Sequence, residues 1–191
     1  MRLPHVVAEI LAGAAEAEAS NMAVPMAIAV VDAEGGLQLF RRMDGTLPAS
    51  SELAVSKAYT AAVLRMPTHE VGELAQPGGI LYGIQQTHNG KIILFGGGYP
   101  LCIQGQIVGA IGVSGGTVEQ DMLVGLPAVD LLRDIQHWAD ELKDVLPPGA
   151  RGSIALPGVK EKILRAFAGL GAGLPKGTAA AVTGGVLLAL A

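Results

Sequence analysis

"GQIVGAIGVSGGTVEQD", residues Gly105–Asp121, runs from a glycine-punctuated apolar stretch through a double glycine into an acidic, helix-starting segment. Its glycines at 109, 112, 115 and 116 lack the spacing of a dinucleotide fingerprint, and no Gly-Lys-Ser/Thr ending of a nucleotide-binding loop follows. The spacing instead predicts a strand over Gln106–Ser114, in which Gly109 and Gly112 let a helix pack close against the sheet. Ser114–Thr117 then reads as a strand-to-helix turn, with Thr117 as N-cap and Gln120 three residues later completing a capping box. A second reading stays open, in which backbone N–H groups near Gly115 and Gly116 bind a carboxylate or phosphate at a helix N-terminus.

Working outward, Pro100–Gln104 reads as the preceding strand, joined at Gly105, and Lys91–Phe95 as another. "FGGGYP" (Phe95–Pro100) falls at the same end of the sheet as the double glycine. Gly97 and Gly98 would therefore share a rim of exposed backbone with Ser114, Gly115 and Gly116. Upstream, "PMAIAVVD" and "LQLFRR", separated by "AEGG", form a predicted hairpin over Pro25–Asp32 and Leu37–Arg42. Alternation puts Leu37 and Leu39 on one face, with Gln38 and Phe40 on the other.

Helices frame these strands. Pro4 to Ser20 is alanine-rich with Val6, Val7, Ile10, Ala14 and Ala17 at helical spacing, and Pro4 suits a first turn. Ser50–Met66 has a serine cap and small alanines at 54, 58 and 62 that permit close approach to a sheet, and it ends before Pro67. A short helix over Thr68–Ala75 precedes the "QPGG" turn. From Thr117 a helical stretch is expected to break at Gly125 and Pro127, then resume with Val129, Leu132, Ile135, Trp138, Ala139, Leu142 and Val145 on one face. The element order is that of an α+β protein with an antiparallel sheet and helices packed on it.

The 191 residues carry a formal charge of −4 and no dense Lys/Arg run, so the footprint of a nucleic-acid binder is missing. Half the residues are hydrophobic and 16% are charged, which excludes a disordered chain. One cysteine, Cys102, cannot form an internal disulfide and is expected to be a core thiol. The N-terminal segment has Glu9, Glu16 and Glu18 where a secretory signal needs an unbroken apolar centre, so a cytoplasmic setting is expected.

Few residues point to chemistry. Arg42 and Asp44 at a strand end, with Lys57 from the next helix, could form a surface ion-pair cluster or a charged pocket edge that holds an acidic group. His5, His69, His88 and His137 are scattered without the pairing of a zinc site, although a lone histidine can ligate haem iron. No Ser-His-Asp set or carboxylate pair stands out, so no catalytic residue is assigned.

"VVDAEGGLQLFRRMDG", "SKAYTA", "FGGGYPL" and "GQIVGAIGVSGGTVEQD", taken in order, resemble the GlcG/HbpS family, and especially the haem-binding C-terminal domain of the PduO corrinoid adenosyltransferases. The resemblance covers roughly Pro4–Val129. It implies a profilin-like α+β fold with a five-stranded antiparallel sheet flanked by helices, assembled into a homo-oligomer. It also implies a non-enzymatic accessory protein that binds a tetrapyrrole, haem or corrinoid, and a link to cobalamin-dependent diol metabolism in bacterial microcompartments. In PduO-like members a histidine on the first helix is associated with the haem iron. The middle of that helix here reads "AAEAEAS", so the implied ligand is His5 or a residue of a neighbouring subunit. The adenosyltransferase domain that precedes this module in longer proteins has no counterpart here, and corrinoid adenosylation is not expected.

The alternative from the residues themselves is an enzyme or binding protein for a small acidic metabolite, using Arg42, Asp44 and Lys57 beside the glycine turns. Three regions are expected: residues 1–146 as the family domain, 147–158 as a Pro/Gly linker, and 159–191 as an amphipathic helix and apolar tail. Val159, Ile163, Phe167 and Leu170 give the tail helix an apolar side. It resembles the encapsulation peptides that attach cargo to microcompartment shell proteins, with residues 159–170 as the docking segment. Cover for the protein's own core or oligomer interface is the competing use of that face, and attachment to a membrane surface is a third. The final "TAAAVTGGVLLALA" falls short of the roughly 20 residues that span a bilayer.

Overall fold

The computed structural model describes residues 3–145, with side chains described through residue 137. The linker and tail expected over 147–191 lie outside the described residues, as do the side chains of Trp138, Ala139, Leu142 and Val145. The chain folds as α1 (His5–Asn21), β1 (Ala27–Asp32), β2 (Leu37–Arg42), α2 (Ser50–Leu64), α3 (Thr68–Leu74), two short 3-10 turns (Ile84–Gln86 and His88–Gly90), β3 (Gly98–Ile103), β4 (Gln106–Ser114) and α4 (Val118–Val145). The strands form one sheet in the order β2-β1-β4-β3, with every neighbouring pair antiparallel. The expected α+β class holds.

Each face of the sheet has its own packing chemistry. On one side, Val7, Leu11 and Ala15 of α1 and Val124, Leu131, Leu132 and Ile135 of α4 bury against Ile28, Val30, Leu101, Ile111 and Val113. On the other, Ala54, Ala58, Ala61 and Ala62 of α2 lie on Ala27, Ala29 and Ala110. Alanine against alanine brings α2 nearly onto the backbone of β4. A Cβ at Gly112 would run into the Ala54 carbonyl oxygen and the Ala58 amide nitrogen, so the glycine inside the strand is the clearance that the helix needs. Gly109 is restricted instead by the Val31 carbonyl of the neighbouring strand.

Four sequence expectations change in detail. First, the predicted strand at Lys91–Phe95 is not a strand, and among the described residues the sheet has four strands rather than five. The Ile93 amide and the Lys91 carbonyl of that segment find their partner on α2. The buried Thr60 hydroxyl accepts from the Ile93 amide at 3.0 Å and stands 3.2 Å from the Lys91 carbonyl, while Ile92 is buried.

Second, β2 does not alternate simply. Val30 pairs with Leu39 and Val31 with Leu37, leaving Gln38 as the extra residue of a bulge. The Gln38 amide consequently donates to the Leu3 carbonyl at 3.1 Å, Leu39 packs against the core, and Leu37 is 55% exposed.

Third, Cys102 is exposed rather than a core thiol. Leu101 and Ile103 take the inward positions of β3, and alternation turns Cys102 outward.

Fourth, α4 continues through Gly125 and Pro127. Gly125 seats the helix over the Tyr99 ring, where a Cβ would stand 2.8 Å from Cδ2 and Cε2. Burial of Val124, Ala128, Leu131 and Leu132 outweighs the hydrogen bond lost at the proline. The predicted capping box is present, with the Thr117 amide donating to Gln120 Oε1 at 2.9 Å and the Gln120 amide to Thr117 Oγ1 at 3.3 Å.

Candidate functional site

Lys57 shares the sheet-facing side of α2 with Ala54, Ala58 and Ala61, and the close packing there leaves it 0% exposed. Its ammonium donates to Asp121 Oδ2 at 2.6 Å and to the Val113 carbonyl at 3.0 Å, and lies 4.8 Å from the centroid of the Phe95 ring. Burial pushes the lysine pKa down, while the hydrogen bond and charge of Asp121 pull it back part of the way. Lys57 is therefore not the exposed edge of a pocket with Arg42 and Asp44. Arg42, the last residue of β2, donates to the Thr46 carbonyl at 3.1 Å, and both it and Asp44, two residues on, are exposed.

The double glycine is engaged by the same carboxylate. Asp121 Oδ1 accepts from the Gly115 and Gly116 amides, each at 3.0 Å, so one buried side chain satisfies the turn with one oxygen and the lysine with the other. The carboxylate also sits in the first turn of α4, where the helix dipole favours a negative charge. The geometry is that of an anion held at a helix N-terminus. Here the anion belongs to the chain.

Gly97 completes the enclosure. It adopts φ +112, and a Cβ on it would lie 2.9 Å from Lys57 Nζ and 3.0 Å from Asp121 Cβ. The Gly97 carbonyl accepts from the Val113 amide at 2.8 Å, and the Gly98 amide donates to Thr68 Oγ1 at 3.0 Å. The structure thus brings Lys57, Gly97, Gly98, Ser114, Gly115 and Gly116 together, as a closed clasp between α2, β4 and α4. Sequence reasoning passed over Asp121. An acidic residue in the first helical turn after a Gly-Gly corner is the signal that marks it, because that corner exposes amides needing an acceptor.

His5 lies elsewhere, at the start of α1. Its side chain is 69% exposed, with Nε2 3.6 Å from Glu9 Oε1. Along the same side of α1, Arg41 of β2 donates to Glu9 and Glu16 at 2.6 Å each. Those carboxylates, through their hydrogen bonds and charges, hold the Arg41 pKa above its usual value even though burial lowers it. An exposed imidazole is a suitable axial donor for haem iron. The groups around it that the contacts identify are charged, Glu9, Arg41 and Glu16. Of the other histidines, His88 is exposed. His69 is half-buried with its ring edge-on to Tyr99 at 6.1 Å, and its Nδ1 is buried without a hydrogen-bond partner. Among the described residues no group of His, Cys, Asp and Glu could hold a metal ion, and no helix is long and apolar enough to cross a membrane.

Comparison with known proteins places this geometry in a family. The family described as haem degrading protein HbpS-like matches residues 3–130. An uncharacterized 15.0 kDa protein of the dhaT–dhaS intergenic region of Citrobacter freundii is 44% identical over 128 residues, 67% of this chain and 90% of that one. The corrinoid adenosyltransferase PduO of Salmonella typhimurium is 43% identical over 119 residues, 62% of this chain but 35% of PduO, so the chain spans about a third of that relative's length. The crystal structure of a PduOC:heme complex superposes with a TM-score of 0.66 at 40% identity, covering 68% of this chain and 94% of that one. The chain belongs to the GlcG/HbpS family, with a PduO-like relationship.

Proposed function

We propose that this chain is a non-enzymatic tetrapyrrole-binding accessory protein, for haem or a corrinoid, working as a homo-oligomer. The observation that carries the reading is the similarity to a haem-complexed structure over 94% of that structure's chain at 40% identity. The closed state of the glycine clasp adds support, because Asp121 already occupies the amides that an acidic metabolite would need. In this reading His5 would supply a nitrogen ligand to the iron, and a neighbouring copy would add apolar cover beside the Glu9–Arg41–Glu16 row. Bound haem would contribute an iron centre. The chain's part is to orient the ring and limit water's access to it.

Exposed Leu37, Leu47, Ile80, Tyr82 and Leu123 leave apolar surface for assembly into an oligomer. We propose further that residues 159–170 dock on a microcompartment shell protein through the side bearing Val159, Ile163, Phe167 and Leu170. The protein would then be cargo for cobalamin-dependent diol metabolism.

Titrating the purified chain with haemin and with cobalamin tests the ligand. Saturable binding with a shifted Soret or corrin band is expected for at least one, and none for either overturns the reading. For the tail, a fluorescent protein fused to residues 155–191 should enter shells, and diffuse fluorescence beside intact shells counts against cargo.

A further inference from the structure

Away from the clasp, on the outer side of α2, three side chains converge. Tyr59 Oη and His88 Nδ1 lie 2.8 Å apart, their rings meet edge-on at 5.8 Å, and Lys91 Nζ stands 5.5 Å from the Tyr59 ring centroid. Local structure holds each in place. Gly35 in the β1–β2 turn, at φ +86, presses on the phenol, where a Cβ would stand 2.5 Å from Cδ2. The Thr60 hydroxyl fixes the Lys91–Ile93 backbone to α2, one residue beyond Tyr59. His88 and Asn89 both take left-handed backbone conformations, φ 52 and φ 57. Two consecutive non-glycine residues in that region cost on the order of 1 kcal/mol or more each and persist only where surrounding contacts impose them. The His88–Tyr59 contact is what this turn gains.

None of the ion pairs among the described residues uses Lys91 or His88. With the phenol donating to Nδ1, the other ring nitrogen carries the imidazole proton as a donor on the far side of the ring. The cluster then offers one ammonium and one imidazole N–H around an ordered phenol, with neither group held in an ion pair among the described residues. We propose that Tyr59, His88 and Lys91 form a binding site for a small oxyanion, a carboxylate or phosphate, separate from the His5 face and from the glycine clasp. Lys91 supplies charge, His88 a directed hydrogen bond, and Tyr59 the platform that positions both. This site does not depend on the tetrapyrrole reading.

The test is an NMR titration of the full chain with inorganic phosphate and, in a second arm, succinate, at ionic strength held constant with sodium chloride. The His88 imidazole signal is assigned by its loss in His88→Gln. Saturable movement of that signal by either anion is expected, and the arm that saturates at lower concentration names the oxyanion. Lys91→Met should weaken binding about tenfold, the effect of losing one charge-assisted hydrogen bond. Arg133→Met, remote on α4, should leave it unchanged. Non-saturating drift with both anions, or equal affinity in Lys91→Met, overturns the proposal. All the substituted side chains are exposed, and an unchanged far-ultraviolet circular dichroism spectrum confirms that each variant folds.

Discussion

Replacing Asp121 by Asn keeps the shape of the side chain and removes the charge that Lys57 requires. Lys57 is 0% exposed, and in the variant its ammonium retains the Val113 carbonyl and the Phe95 face but no counter-ion. The amide also has one oxygen where two sets of donors now meet two, so its NH2 must face either Nζ or the Gly115 and Gly116 amides. Breaking a buried pair by removing one partner costs about 3–5 kcal/mol, which for a domain of this size lowers Tm by about 6–20 °C. Lys57→Met is expected to cost less, about 1–3 kcal/mol, because Asp121 keeps both glycine amides and the helix N-terminus. The double variant removes both charges and should be no less stable than Asp121→Asn alone. Urea denaturation of the four proteins, with equal m values, gives the coupling energy. The account predicts at least about 1 kcal/mol of non-additivity; single effects that sum to within about 0.5 kcal/mol would refute the claim that the two groups act as one unit.

Titration gives a second handle on the same lysine. Because burial lowers the folded-state pKa below the ordinary 10.5, the unfolded chain binds more protons between those two values, so wild-type stability relative to Lys57→Met should rise as pH climbs through that window; a flat difference in denaturation midpoint refutes it. Thr60→Val leaves the Ile93 amide without its acceptor and should cost about 1–3 kcal/mol, with faster amide hydrogen exchange confined first to residues 91–93. Gly115→Ala drives a methyl into the Pro25 carbonyl, whereas Gly116→Ala meets side chains, Gln120 at Oε1 and Cβ and Met26 at Cε, and no backbone as close. Thermal unfolding should therefore show the first variant to be clearly the less stable.

The sequence carried the strand and helix order because its signals are local. The alanines of α2, the hairpin residues around Gly35 and the Thr117–Gln120 box each specify a nearby geometry without help from the rest of the chain. Lys91–Phe95 was misread because its backbone partner is the Thr60 hydroxyl, about thirty residues away and invisible to any pattern of alternation. The bulge at Gln38 turned side chains that simple alternation had assigned to the other face. At the glycine turn the sequence left open an external anion, whereas Asp121, an acidic residue in the first turn of the next helix, already fills that place. Lys57 looked like a surface cation because a charged residue is rarely fully buried, and only the 64-residue pairing with Asp121 explains how this one is. His5 was legible as the histidine of the first helix, while the charged row beside it depends on Arg41 reaching across from β2.

Haemin titration of the wild-type chain and of His5→Ala, side by side, tests the function most directly. The account predicts a saturable Soret shift for the wild type and loss of the ligated iron spectrum in the variant. Identical ligated spectra in both proteins would contradict the role of His5, and absence of saturable binding of haemin and of cobalamin by the wild type would contradict the account as a whole.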